Sequence, residues 1–92
     1  MATFILLGKY SAEGLKGISK ERTQEATKII RELNGEVKTI YALLGTYDLH
    51  LVANFPGIRE AMRASIMLNK LTGITFTTSE AVSAKEFDEL MS

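Results

Sequence analysis

With 92 residues, 46% of them hydrophobic and 24% charged, the chain has the size and make-up of one globular domain, and its 11 basic groups cancel its 11 acidic ones. That balance, without a clustered excess of Lys and Arg, gives no footprint for a nucleic-acid backbone. The absence of cysteine removes disulfides, thiolate nucleophiles and thiol ligands, and the short apolar start at Phe4 to Leu7 suits neither a secretory signal nor a membrane span, so a cytoplasmic chain without membrane partners is expected.

Thr3 to Tyr10 is rich in β-formers and predicts a first strand, followed by a Ser11-capped turn at SAEG. Ser19 predicts a helix start, and Ala26, Ile29, Ile30 and Leu33 form one apolar stripe at helical spacing. Asn34 and Gly35 end it, with Gly35 expected in the left-handed position. Val37 to Leu44 and Asp48 to Phe55 predict an antiparallel hairpin turning at Gly45 to Tyr47, and Pro56 stops its second arm. Ile58 to Leu71 has Ala61, Ala64, Leu68 and Leu71 on one side and predicts a second long helix closed by Gly73. Ile74 to Ser79 is a fourth strand, and Ser83 with Glu86 forms a capping box for a short last helix carrying Phe87, Leu90 and Met91.

The order β-α-β-β-α-β plus a terminal helix is the α+β, ferredoxin-like pattern, one domain over residues 1–92. Right-handed crossovers put both long helices on one face of a four-stranded antiparallel sheet and leave the other face open. Alternation splits strand three into Leu49, Leu51, Ala53 and Phe55, fit to lie under helices, and Asp48, His50, Val52 and Asn54, facing away. Strand one divides into Phe4, Leu6, Gly8 and Tyr10 against Thr3, Ile5, Leu7 and Lys9. Strand two divides into Ile40, Ala42 and Leu44 against Val37, Thr39, Tyr41 and Leu43. Both sets of the first two strands are apolar, so the open face is expected to be too apolar for water and to be closed by a second copy as a homodimer or larger homo-oligomer. The polar set of strand three, joined by Thr75, Thr77 and Ser79, would then line a chamber between subunits with apolar walls and a few converging polar groups, which suits a small, fairly apolar ligand.

Gly45-Thr46-Tyr47-Asp48, within ALLGTYDLHLVANFP, resembles the signature of the GYD domain family. The opening FILLGKYSAEGLKGI and the closing EAVSAKEFDELM are similar to that family's first strand and turn and to its terminal helix with a buried Phe. The resemblance implies a ferredoxin-like subunit of the dimeric α/β barrel superfamily, in a family of uncharacterised biochemical role. Ligand-sensing domains, cofactor-independent monooxygenases and haem-handling enzymes all occur among superfamily relatives. The chain departs from the family pattern at Asn54, Pro56 and Gly57, where members often carry an acidic residue and then Pro-Asp.

Same-face neighbours along a strand lie roughly 6.5 to 7 Å apart, so Asp48 could orient the His50 ring and His50 could act as a general base. The alternative is that Asp48 caps the hairpin through backbone bonds and His50 is a strand residue at a subunit contact. Tyr47 is placed to offer a phenol at the chamber mouth or to pack on a neighbour, and Tyr10 and Tyr41 stand beside it as further ligand-binding candidates. Asn54 suits a carbonyl of a ligand or the backbone before Pro56. One His and no Cys leave no metal site, and neither haem nor another cofactor is expected. Three functions fit these residues: a small-molecule-binding oligomer using Tyr47, Asp48, His50 and Asn54, a cofactor-independent monooxygenase- or isomerase-like enzyme with His50 as base and Asp48 as orienter, and a scaffold without a ligand.

Overall fold

The computed structural model describes residues 1–92 and contains four strands and four helices in the order β1 (Ala2–Tyr10), α1 (Ala12–Lys16), α2 (Lys20–Glu32), β2 (Glu36–Ala42), β3 (Leu49–Phe55), α3 (Ile58–Thr72), β4 (Ile74–Ala81) and α4 (Ala84–Met91). The sheet order is β2-β3-β1-β4 with every neighbouring pair antiparallel, which is the ferredoxin-like topology the sequence predicts. One side of the sheet carries the core. Phe4, Leu6, Leu51, Ala53 and Phe55 project from β1 and β3 onto Ile30 of α2 and Ala61, Ala64 and Leu68 of α3, each with at most 3% of its surface exposed. Phe4 and Phe55 meet edge to face with ring centroids 5.8 Å apart, an arrangement favoured by the ring quadrupoles.

Three of the four helix starts follow the sequence closely because a serine hydroxyl stands at each. Ser11, Ser19 and Ser83 accept the backbone N–H groups of Gly14, Arg22 and Glu86 at 2.9, 3.0 and 3.0 Å, each satisfying one donor that the first turn leaves free. α3 begins instead at Gly57 with no side-chain cap and ends at Gly73, whose φ of 72° is the left-handed conformation glycine accommodates.

Several boundaries differ from the sequence reading. Left-handed backbone at the end of α2 falls on Asn34 (φ 64°) and not on Gly35, in keeping with the tolerance of Asn for that region. Gly35 is needed for a different reason: a Cβ there would stand 2.7 Å from Phe55 Cε1 and 2.9 Å from Ile30 Cγ2, both in the core. β2 ends at Ala42, two residues early, because Leu43 N–H turns to the Asp48 carbonyl at 2.8 Å and the chain then bends away. A bulge between Val37 and Thr39 places Val37 with Ile40 and Ala42 opposite Ala53, Leu51 and Leu49, so Val37 leaves the face assigned to it by simple alternation. β4 runs on to Ala81, held by continued pairing of Phe4 with Glu80 and Thr3 with Ala81. α4 buries none of its residues within the chain, and Phe87, expected to be buried, is 55% exposed.

The close approach at Gly35 gives a test. Gly35→Ala is expected to destabilise the chain by about 1–3 kcal/mol, because neither the Phe55 ring nor Ile30 has space to yield. Asn34→Gly should stay within about 0.5 kcal/mol of the parent chain. Urea unfolding of both variants measures this, and equal midpoints for Gly35→Ala and the parent would remove the packing argument.

Candidate functional site

Pairing registers fix which side chains share the open face. Three rows cross all four strands from β2 to β4: Tyr41, His50, Leu7 and Thr77; Thr39, Val52, Ile5 and Ser79; Glu36, Asn54, Thr3 and Ala81. Neighbouring strands lie about 4.8 Å apart, so each row is a contiguous line of side chains. Its middle is aliphatic, with Ile5, Leu7 and Val52 each half-buried by lateral neighbours, and its frame is polar. The face is therefore more mixed than the sequence suggests, because β1 and β2 send Phe4, Leu6, Val37 and Ile40 to the other side. No helix buries this face: the core lies opposite, and α4 buries none of its residues.

The structure brings His50 and Tyr41 together on this face, paired across β3 and β2 with ring centroids 6.3 Å apart and planes inclined by 38°. The His50 side chain makes no hydrogen bond within the chain, so its ring nitrogens are available to a ligand or a partner. Asn54 lies four residues along the same side, and its Oδ1 accepts the Thr3 hydroxyl at 2.9 Å, a cross-strand bond that fixes the amide. Tyr47 is half-buried in the loop before β3, where the Lys9 ammonium holds the loop by donating to the Thr46 carbonyl at 3.1 Å.

Asp48 has a backbone partner. Its carboxylate Oδ2 accepts the Tyr10 N–H at 3.0 Å, its own N–H donates to the Gly8 carbonyl at 2.8 Å, and its carbonyl accepts from Leu43 N–H at 2.8 Å. Asp48 thus stitches the end of β1 to the β2–β3 loop, and no hydrogen bond joins it to His50. The carboxylate's partner lies on β1 and not in the hairpin's own backbone. Tyr10 is apart from the other candidates. It pairs with Ile74 on the helix side, where its ring lies 5.8 Å from the Arg22 guanidinium carbon.

No group of three or more His, Asp or Glu side chains converges as a metal site would require, and no helix is long and apolar enough to cross a membrane. Sequence reasoning missed Arg22 altogether. The only signal for it was its place three residues after the Ser19 cap, which turns it toward the end of β1.

Comparison with known proteins gives a family match and a fold match. The family model described as GYD domain matches residues 4–91. No curated protein sequence matches the chain. Among solved structures, the leucine response regulatory protein of Mycobacterium tuberculosis is similar in fold, with a TM-score of 0.59 and 7% sequence identity over 90% of this chain. This chain spans 51% of that protein's chain, and at such low identity the likeness concerns the fold alone.

Removal of the Asp48 carboxylate is expected to cost about 1–3 kcal/mol, the usual loss when a charged acceptor leaves a backbone donor unpaired. Asp48→Ala should lose more than Asp48→Asn, whose side-chain oxygen can still accept from Tyr10 N–H. Denaturant midpoints for the two variants, with unchanged slopes, measure the difference; an alanine variant as stable as the parent would show that the bond contributes nothing.

Proposed function

The chain belongs to the GYD domain family, and from that membership and the open sheet face we propose that it works as a self-associating binding module. A second copy closes over Ile5, Leu7 and Val52, and a small, fairly apolar molecule is held between the two sheets within reach of His50, Tyr41 and the Asn54 amide. The observation that supports this most directly is the line of aliphatic side chains on the two central strands, facing a side that nothing in the chain buries. The dimeric α/β barrel is the arrangement in which that face would become an interior.

Magnitudes decide how much of the chain must take part. Completing the burial of three half-buried aliphatics contributes a gross few kcal/mol at about 25 cal/mol per Å². Association costs more than that, about 4–15 kcal/mol, so the central residues do not hold a dimer alone. Two further apolar groups supply the remainder. Leu44 at the tip of the β2–β3 loop is fully exposed, and α4 presents Phe87, Leu90 and Met91 on a helix that buries nothing. Within this reading His50 is a binding group and Asp48 a structural one, since the Asp48 carboxylate is engaged by Tyr10 N–H.

Sedimentation velocity tests the proposal. The parent chain, 10.2 kDa as a single copy, is expected to sediment at twice that mass or more at tens of micromolar, and Leu7→Glu to sediment as a single copy while keeping its circular dichroism. A parent chain that stays single at about 1 mM, where even weak self-association shows, would refute it.

A further inference from the structure

On the helix side of the sheet, away from the open face, a cavity of ≈ 70 Å³ lies beneath α2, walled by Ala26 and Ile30 of α2, Ile40, Leu49 and Leu51 of the sheet and Leu68 of α3. That is about five times the space one water needs, room for an aliphatic tail of about four or five carbons. An apolar wall gives water too few partners to fill it favourably. The cavity opens partly to solvent, and all its walls come from one chain.

Its polar wall residues are three threonines, Tyr10 and Arg22. The threonine hydroxyls are already engaged: Thr23 donates to the Ser19 carbonyl, Thr27 to the Thr23 carbonyl, and Thr72 donates to Leu68 and accepts from Ile74 N–H. Arg22 is held in place but has donors to spare. Its Nη1 donates to the Gly14 carbonyl at 2.6 Å, and its guanidinium carbon lies 5.8 Å from the Tyr10 ring centroid, within cation–π range. The ion pairs of the chain are Lys16 with Glu13 and Lys38 with Glu36, so no carboxylate lies within ion-pair distance of Arg22. The Tyr10 hydroxyl makes no hydrogen bond within the chain either.

A fixed, uncompensated guanidinium at an apolar cavity is complementary to one kind of molecule. We propose that this cavity binds a small aliphatic monocarboxylate, its hydrocarbon tail beneath α2 and its carboxylate on the free N–H groups of Arg22 and the Tyr10 hydroxyl. The planar guanidinium suits a carboxylate, which can take two parallel N–H bonds. An amine would be repelled by the same charge. A free amino acid is disfavoured too, because none of the wall residues is acidic and its ammonium group would have no counter-charge.

The test titrates the full chain with 4-methylpentanoate, its amide 4-methylpentanamide, and leucine, following methyl signals of Ile30, Leu49 and Leu51 by NMR. Saturable binding of the carboxylate is expected, with the amide and leucine weaker by about tenfold or more, the loss of one charge-assisted contact. Arg22→Gln should remove the preference for carboxylate over amide. Ala26→Leu, which fills the cavity from α2, should abolish binding of both while the amide spectrum stays that of a folded chain. Equal affinity for carboxylate and amide, undiminished binding by Ala26→Leu, or no saturation by about 10 mM would each overturn the proposal.

Discussion

Everything described above depends on the pairing register of β1 with β3. Ala2 opposite Phe55 and Gly8 opposite Leu49 set seven consecutive pairs, and each pair commits two side chains to the same side of the sheet. A slip of β1 by one residue would carry Phe4 and Leu6 out of the core and put Ile5 and Leu7 beneath the helices, beside Leu51, Ala53 and Phe55 of β3. The register is secured by the difference between the two sides. One offers Phe4 and Phe55 in edge-to-face contact, with Ile30 and Leu68 closing over them, and the other offers a polar frame that could never satisfy α2 and α3. Both the open face and the helix-side cavity are consequences of that single alignment.

Asp48 links the two surfaces. Its N–H closes the β1–β3 ladder at Gly8, and its carboxylate takes Tyr10 N–H just where β1 leaves the sheet. Holding Tyr10 at this point keeps its ring on the helix side, against Arg22, while the next residue along β3 but one, His50, faces the opposite way. A carboxylate in the Gly-Thr-Tyr-Asp segment is therefore explained by backbone geometry before any chemistry is invoked. The Lys9 bond to Thr46 fastens the same loop from the other side of β1, so the loop is tied at two points to one strand.

The element order, the fold class and the hydroxyl caps were legible because each rests on local signals: period-two and period-3.6 patterns, and Ser residues three before the N–H they accept. The face assignment of β3 was legible for the same reason, since Leu49, Leu51, Ala53 and Phe55 contrast with His50 and Asn54. Strands one and two gave no such contrast. Their faces were settled by partners distant in sequence and, in β2, by a bulge that alternation cannot foresee. Gly35 was read as a turn residue when its role is to leave space for Phe55, a contact spanning 20 positions that no local pattern encodes. Arg22 was hidden similarly: among 11 basic residues, only tertiary placement over Tyr10 distinguishes it.

The distribution of exposed apolar groups separates what the chain buries from what it leaves uncovered. On the helix side, α2 and α3 bury the core, and one less closed place is the edge near β2, where Ile40 remains 38% exposed and the cavity adjoins it. All the residues around it belong to one chain. Elsewhere, Ile5, Leu7 and Val52 on the open face are half-buried, Leu44 is fully exposed and α4 buries none of its residues. α4 has the composition to resolve this, with Phe87, Leu90 and Met91 grouped on a helix whose remaining residues are mostly acidic. A helix of eight residues has little stability in isolation, so burial of those three side chains against any surface would add to its stability.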